Sequence, residues 1–225
     1  MPTADNRKRN QGDRKQSRPR RQELLDVAAA IFRRKGYVAT TTQDIADALG
    51  ILKGSIYYYI DTKEDLLFAV IAVAHERVEE SLALAASDEG TVIDRLRALV
   101  RRNIETSIAD QDKAAVFNTE FRFLSKERQR VVISLRDEYE LFLRRLLKEG
   151  QEEGLVCPEL DLSVASAGML SMVTSVSNWY RARGPENEKL VISNLVEMAT
   201  SSVQCGQDHK HGRRQARPTT AKRRS

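Results

Sequence analysis

The sequence predicts an all-α fold of about nine helices, and three features of the residue pattern lead to this prediction. Apolar residues recur at helical spacing along most of the chain, as at Leu96, Leu99, Val100 and Ile104. No segment alternates apolar and polar residues for long enough to form a strand. Glycines, prolines and Thr-x-x-Asp pairs punctuate the pattern where helices would begin and end. With 225 residues, of which 41% are hydrophobic, the chain can bury a large core.

The first two helices are marked by their ends. The first is predicted over 20–35 and stops at Gly36, a residue type suited to the left-handed conformation after a helix. The second begins near Thr41, where Asp44 completes a capping box, and stops at Gly50. Together they predict a compact N-terminal helical unit.

A short third helix, over 53–60, precedes a long fourth helix over 63–86 that Thr62 and Asp65 open with a second capping box. The later helices are predicted over 91–109, 113–124, 125–152, 161–180 and 188–205. We expect four segments: a basic disordered arm (1–19), a helix-turn-helix domain (20–68), a ligand-binding and dimerisation domain (69–205) and a basic disordered tail (206–225).

Charge is concentrated at the two ends of the chain. Residues 1–21 hold eight Lys and Arg against two Asp, and residues 206–225 hold seven against one, so each end carries +6. Because the total is +5, the middle carries −7. Such ends are typical of arms that seek polyanions such as DNA, and a solubility tail is an equally good interpretation of 206–225.

The second and third helices meet at a turn formed by Gly50 and Ile51, which is typical of a helix-turn-helix whose second helix enters the DNA major groove. Three consecutive tyrosines lie on the third helix, and at 100° per residue they cannot share one face. With Ile56 and Ile60 inward, Tyr58 points directly outward, and Tyr57 and Tyr59 lie at the edges of the apolar side. Gly54 and Ser55 share the outward face, where close approach and phosphate contact become possible. An aromatic cluster in a partner interface is the alternative.

The run GYVATTTQDIADALG, followed by KGSIYYYIDTKEDL, strongly resembles the DNA-binding segment of the TetR family of bacterial repressors over about residues 21–68. The resemblance implies a homodimeric, ligand-responsive transcriptional regulator that binds a palindromic double-stranded DNA operator. Leu52 stands where the family usually has a small polar residue, which leaves the cap of the recognition helix, or its nearest phosphate contact, open. The DNA contacts implied by the resemblance, with Tyr58 added from the helical wheel, are Thr42, Gln43, Lys53, Gly54, Ser55, Tyr57, Tyr58, Tyr59 and Lys63.

Residues 69–205 contain no set of side chains that resembles an active site. Phosphate-binding glycine motifs and a Ser/His/Asp set are absent from the sequence, so we predict that the protein is not an enzyme and needs no cofactor. His209 and His211 are interpreted as solvated tail residues, and no metal site is predicted. With two cysteines, no signal peptide and no long apolar run, the expected location is the cytoplasm, with no membrane partner.

Two features of this half suggest binding. The resemblance implies a dimer interface formed by two stretches, the small-residue segment LSVASAGMLSMVTSVSNWYRARG and the apolar stripe VISNLVEMATSSV. Ordinary intrachain packing is the alternative. An aromatic and methionine set is the candidate effector pocket, in which Arg122 could meet a carboxylate or phosphate, although such a set is more often plain core. Its predicted ligand-binding residues are Phe117, Phe121, Arg122, Tyr139, Phe142, Met169, Met172 and Trp179.

The segments around EFRFLSKERQR and NWYRARG are loosely similar to family members that control lipid or steroid breakdown and sense acyl-CoA thioesters. They imply a hydrophobic or acyl-CoA effector. Two other classes stay open at this point. One is a DNA-binding architectural protein whose second half only dimerises, and an enclosed cavity would count against it. The other is an enzyme with an accessory helix-turn-helix.

Overall fold

The computed structural model describes the backbone of residues 4–205 and the side chains of residues 20–205. Within this range the chain forms ten α-helices and one short 3-10 helix, with no strand. The helices are α1 (Ala4–Lys35), α2 (Thr42–Leu49), α3 (Lys53–Ile56), α4 (Lys63–Ala86), α5 (Val92–Ala109), α6 (Gln111–Thr119), α7 (Lys126–Glu152), α8 (Leu162–Thr174), α9 (Val176–Trp179) and α10 (Pro185–Ser201), and the 3-10 turn is Phe121–Phe123. Because only Ser175 separates α8 from α9, they are one broken helix, and the predicted nine-helix, all-α fold is confirmed.

The glycine stops and the threonine caps that the sequence predicts are present in the structure. Gly36 and Gly50 have φ of +80° and +64°, the left-handed conformation that stops a helix at low cost when no Cβ is present. The capping boxes of α2, α4 and α5 all form, each with its threonine hydroxyl accepting from the aspartate N–H and the aspartate accepting in return.

Several boundaries differ from the predictions, as in α10, which covers Pro185–Ser201 and not 188–205, and three of the differences affect the sites described below. Helix α1 begins at Ala4, so the segment 1–19 that was predicted to be a disordered arm is helical from that residue onward. The Arg, Lys and Gln residues of this segment have high helix propensity and favour the extension, whereas Gly12 and Pro19 disfavour it. Helix α6 ends at Thr119, and the chain continues as the 3-10 turn.

Helix α3 is the third difference, because it ends at Ile56 and not at Ile60. Its continuation, Tyr57 to Tyr59, is a series of turns in which Tyr58 N–H donates to the Ser55 carbonyl (3.3 Å) and Tyr59 N–H to the Ile56 carbonyl (2.9 Å). Consecutive i→i+3 bonds wind the chain more tightly than an α-helix does. The recognition element is therefore one helical turn followed by a tight, tyrosine-bearing turn.

Two hydrophobic cores organise the helices. The first is formed by helices α1, α2, α3, α4 and α6 and by the start of α7. Its fully buried members include Phe32, Ile45, Ile56 and Leu66. Replacing Ile56 with Ala would cost about 2–5 kcal/mol of folding free energy, because it is the single buried anchor of α3.

The second core lies among α5, α7, α8, α9 and α10. Helix α4 contributes Leu67 to the first core and Ala85 to the second, and Val78 packs against both. The predicted domain boundary at residue 68 therefore falls within a continuous helix, which can transmit a displacement from one core to the other.

Neither a bilayer span nor a metal centre is visible in the part of the chain described. None of its helices combines the length and the apolarity needed to cross a membrane. None of its His, Cys, Asp and Glu residues assemble in groups of three that could ligate a metal. His209 and His211, with the predicted tail 206–225, lie outside the described residues.

Candidate DNA-binding surface and effector cavity

The short helix α3 presents three small or flexible residues outward. Lys53, Gly54 and Ser55 are exposed, whereas Ile56 is fully buried and fixes the helix on the core. Leu52 precedes them with 81% of its surface exposed, and its side chain forms no cap, as its departure from the family pattern suggested. Gly54 has no atom near the position of an added Cβ, so the outer side of α3 is open to a close-fitting partner.

The three tyrosines take the orientations that the helical wheel predicts, although their backbone is not helical. Tyr58 is 79% exposed and Tyr57 is 47% exposed. Tyr59 is half-buried against the first core, and its ring meets that of Tyr58 edge to face at 5.2 Å between centroids. Two tyrosine rings thus project from the surface, and the third supports them.

The beginning of α2 lies beside this surface and is rigidly held. Thr41 and Asp44 form the capping box, and the ammonium of Lys35 pairs with the Asp44 carboxylate at 2.7 Å. These hydrogen bonds hold the pKa of Asp44 well below its usual range. Gln43 is exposed and Thr42 is half-buried, so both can reach a partner that touches the N-terminus of α2.

Lys63 holds the turn between α1 and α2, which lies next to the candidate DNA-binding surface. Its ammonium donates to the carbonyls of Tyr37 (2.9 Å) and Thr40 (2.8 Å) and lies 4.3 Å from the centre of the Tyr37 ring. Burial lowers the pKa of Lys63. The predicted phosphate contact would have to use the one remaining N–H, so the main role that the geometry gives Lys63 is to fix the α1–α2 turn.

The α1–α2 turn is also bonded to the segment that follows α6. The N–H of Tyr37 donates to the carboxylate of Glu120 at 2.9 Å, and the Tyr37 ring stacks on Phe123 at 5.7 Å. Glu120 and Phe123 follow α6 directly. The segment after α6 is therefore in contact with the turn that positions α2, a link that the sequence analysis missed because no local pattern reveals it.

A cavity lies where the two cores meet. Its volume is about 350 Å³, and a second chamber of about 50 Å³ shares Val78, Asn103, Phe117, Asn118 and Thr174 with it. The remaining lining residues of the larger chamber are Leu135, Arg136, Tyr139, Leu170, Ser171, Ser175 and Asn178. The size lies at the lower end of the range for small-molecule pockets, and apolar side chains share the lining with polar ones.

The predicted effector residues are only partly gathered here. Phe117 and Tyr139 line the cavity. Phe121 is half-buried and packs in the first core, and Phe142 packs against the second. Arg122 is exposed over the ring of Phe123 and lies outside the cavity. The remaining three residues are also outside it, Met169 and Met172 along a groove beside α8 and Trp179 half-exposed, with its indole N–H donating to the Ser175 hydroxyl.

Arg136 is the cavity cation that the sequence analysis missed. It stands one turn from Tyr139 and Val132, both buried, so its position within the apolar stripe of α7 was a usable signal. Its Nη2 donates to the carbonyl of Phe117 (2.8 Å), and its guanidinium lies 4.1 Å from the centre of the Phe121 ring. Burial lowers the pKa of Arg136.

Helices α8 and α10 leave apolar side chains uncovered. Val164 is 71% exposed, and Leu190 and Met198 are each 58% exposed. The outward positions between them include Ala167, Gly168 and Ser171, which allow close helix approach. This face is the stretch for which the sequence predicted a dimer interface, and we call it the α8/α10 face.

Comparison with known proteins agrees with this architecture. Residues 24–70 match the family model described as bacterial regulatory proteins, tetR family, and residues 89–203 match the tetracyclin repressor-like C-terminal domain. The HTH-type transcriptional repressor KstR2 of Rhodococcus jostii is 31% identical over 170 residues, covering 73% of this chain and 81% of the relative. The fatty acid metabolism regulator protein of Bacillus subtilis is 22% identical and covers 84% and 98%.

Solved structures give the same result. The ketosteroid transcriptional regulator KstR2 of Mycobacterium tuberculosis superposes with a TM-score of 0.78 at 25% identity, covering 83% of this chain and 96% of the other. AibR, solved in complex with isovaleryl coenzyme A and operator DNA, gives 0.70 at 27% identity, with coverage of 80% and 97%. The two family models and these likenesses together show that the chain belongs to the TetR family of bacterial regulatory proteins.

Proposed function

We propose that the protein is a homodimeric transcriptional repressor that binds a palindromic DNA operator and is released by a small hydrophobic molecule or an acyl-CoA. DNA contact is assigned to the outer surface of α3 and its tyrosine turn, with the N-terminus of α2 beside it. Exposed Ser55, Tyr57 and Tyr58 supply hydroxyl donors for phosphate or base edges, and Gly54 permits close approach. Thr42, Gln43, Lys53 and Tyr59 complete the proposed contact set.

Dimerisation is assigned to the α8/α10 face. Its exposed apolar residues, separated by Ala and Gly, suit the close packing of a second copy, and a two-fold axis is what a palindromic operator requires. The likeness to the repressor KstR2 and to AibR, solved with operator DNA, supports the repressor and operator parts of the proposal.

The observation that carries the repressor proposal is the contact between the end of the cavity helix α6 and the α1–α2 turn. Helix α6 supplies Phe117 and Asn118 to the cavity, and Glu120, directly after it, accepts from Tyr37 N–H. A ligand that displaces α6 also displaces the α1–α2 turn, and with it the two recognition elements. The fatty acid regulator of Bacillus subtilis and the isovaleryl coenzyme A complex of AibR favour an effector with an acyl chain.

The test begins with selection of bound sequences from random DNA by the full chain. The proposal predicts a palindromic consensus, and a gel shift on it should lose the complex when an acyl-CoA or fatty acid series is added. An architectural protein without effector would give little sequence preference and a complex that no ligand in the series dissociates. That result would overturn the proposal.

A further inference from the structure

The Arg136 guanidinium lacks an acidic partner. The other two half-buried arginines of α7 pair with carboxylates, Arg128 with Glu64 and Asp65, and Arg144 with Glu140. Arg136 instead donates from Nη2 alone, to the carbonyls of Phe117 (2.8 Å) and Asn118 (3.4 Å). Its Nε and Nη1 form no hydrogen bond with any residue described. A half-buried cation in this state keeps two donor atoms for another partner.

The larger chamber, which Arg136 lines, contains no acidic side chain among its described residues, and Asp110 of the smaller chamber is already paired with Arg77 and Lys113. The lining of the larger chamber comes from α4 through α9 and includes Asn103, Asn118, Tyr139, Thr174 and Asn178 but no aspartate or glutamate. Arg136 is therefore the one ionised side chain among these lining residues. A second polar atom also lacks a partner, since Asn103 Oδ1 is buried without a hydrogen bond to any described group. Within the described part of the chain, Arg136 and Asn103 thus leave polar atoms unpaired at the cavity, whereas Asn118, Ser171 and Thr174 donate to backbone carbonyls.

Burying a cation without a counter-ion is unfavourable, and a ligand anion would offset this cost. Arginine suits the task because its planar fork donates two parallel hydrogen bonds to a carboxylate. The rings of Phe117 and Phe121 already hold the guanidinium in place at 5.1 and 4.1 Å, which reduces the ordering cost of binding.

We propose that the cavity takes a ligand with an apolar body and an anionic oxygen group, and that Arg136 binds that group. The proposal rests on the cavity being the effector site proposed above. The apolar body lies among Val78, Leu135 and Leu170, and the anionic group faces Nη1 and Nε of Arg136. The anion is the carboxylate of a hydrophobic acid, or a phosphate of its CoA thioester whose acyl chain enters first.

A purely structural role for Arg136 is the competing explanation. Phe117 and Asn118 lie in the last turn of α6, where carbonyls lack helical partners, so Arg136 also caps that helix. Such a role predicts that substitution lowers stability and weakens every ligand equally. An anion-binding role predicts selective weakening of charged ligands.

The experiment is calorimetric titration of the full chain with saturated carboxylates from hexanoate to tetradecanoate, with the primary alcohols of equal length, and with the matching CoA thioesters. Wild type should prefer the best acid or thioester over the alcohol. Arg136→Gln should weaken the charged ligand by about 10- to 100-fold and leave alcohol affinity unchanged. Arg136→Lys should retain part of the preference. Arg122→Gln, an exposed arginine outside the cavity, is the matched control and should change nothing.

Three results would overturn the proposal: no wild-type preference for a charged ligand over the alcohol, binding of none of the ligands, or equal losses for charged and neutral ligands in Arg136→Gln. Loss confined to the thioester assigns the anion to a CoA phosphate, and loss for the free acid assigns it to the carboxylate. If circular dichroism shows that Arg136→Gln does not fold, the test uses wild type and Arg136→Lys. The proposal then stands if wild type prefers the charged ligand and Arg136→Lys retains part of that preference, and it fails if either result is absent.

A parallel gel shift separates this proposal from the repressor function. If ligand binding depends on Arg136 but the ligand does not dissociate the operator complex, the anion site is supported and the effector role is contradicted. Release of the operator that is insensitive to Arg136→Gln supports the effector role and contradicts the anion site.

Discussion

Arg33, near the end of α1, donates from Nη1 to the carboxylate of Asp112 on α6 at 2.8 Å, and its Nη2 reaches the carbonyl of Ser177 on α9 at 3.0 Å. One side chain therefore ties α1 to both α6 and α9. Nearby, the buried ammonium of Lys113 pairs with Asp26 of α1 and with Asp110. Burial opposes the charge of Lys113, but these hydrogen bonds prevail and raise its pKa. Two ion pairs, Arg33–Asp112 and Asp26–Lys113, therefore join α1 to α6.

We expect Arg33→Met to lower the free energy of unfolding by about 1.5–3 kcal/mol, because its hydrogen bonds involve a charged donor. It should also reduce the effect of ligand on operator affinity. Urea unfolding and gel shifts with and without ligand measure the two effects. Arg34→Met, at an exposed neighbouring position, is the control. Full ligand response in Arg33→Met would show that coupling takes another route.

Lys63→Met should lower both the stability of the fold and the affinity for the operator, because the Tyr37 and Thr40 carbonyls lose their charged donor. Each of the two hydrogen bonds contributes at most about 1.5–3 kcal/mol to the free energy of unfolding. Thermal unfolding and gel shifts at several salt concentrations would measure this, with Lys126→Met as an exposed control. An unchanged melting temperature, with a salt slope reduced by about 0.9, would instead identify Lys63 as a phosphate contact.

Tyr59→Phe and Tyr57→Phe should each reduce operator affinity several-fold without loss of stability, because each removes one hydroxyl donor and keeps the ring packing. Fluorescence anisotropy on the selected operator at fixed salt measures this. Tyr180→Phe, a buried tyrosine of the second core, away from α3, is the matched control. Unaltered affinity in both variants would remove the tyrosine turn from the interface.

Val164→Asp should convert the dimer to monomer and abolish tight operator binding, because it buries a charge in the proposed apolar contact. Sedimentation velocity measures the state of assembly. Val131→Asp provides the control, since this valine is also exposed (47%) but lies on α7, away from the α8/α10 face. Persistence of the dimer in Val164→Asp would place the interface elsewhere.

Acid should destabilise the protein partly through Asp44. Its folded-state pKa is lowered by hydrogen bonds from Lys35 and Thr41, so its stabilisation is present above the unfolded pKa of about 3.9 and is lost as the pH falls further. Asp44→Asn should therefore show a shallower loss of unfolding free energy below about pH 4. Urea titrations across this range measure the slope, with Asp47→Asn on the same helix as control. Equal slopes in wild type and Asp44→Asn would contradict the cap assignment.

Much of the fold was predictable because its signals are local. Thr41 with Asp44, and Gly36 with its positive φ, are short-range devices whose geometry depends on adjacent residues. The outward direction of Tyr58 was likewise predictable, since Ile56 and Ile60 define the inward side at close range. The length of α3 was not, because the tight turn after Ile56 depends on how the tyrosines pack against the rest of the core.

The effector site was harder to predict because it is assembled from distant segments. Arg122 and Arg136 both lie among aromatic residues in the sequence, but only Arg136 faces the cavity. The position of Arg136 within the apolar stripe of α7 indicates burial, and yet its partner carbonyl at Phe117 is 19 residues away. Contacts of that kind follow from helix packing, which no single stretch of the sequence specifies.

The central claim is that two copies of the α3 surface engage one operator. Native mass spectrometry of the full chain with the selected palindrome tests it most directly, alongside a duplex in which one half-site is scrambled. We predict two chains on the intact palindrome and loss of the tight complex on the scrambled duplex. A single chain bound with equal affinity to both duplexes would contradict the account.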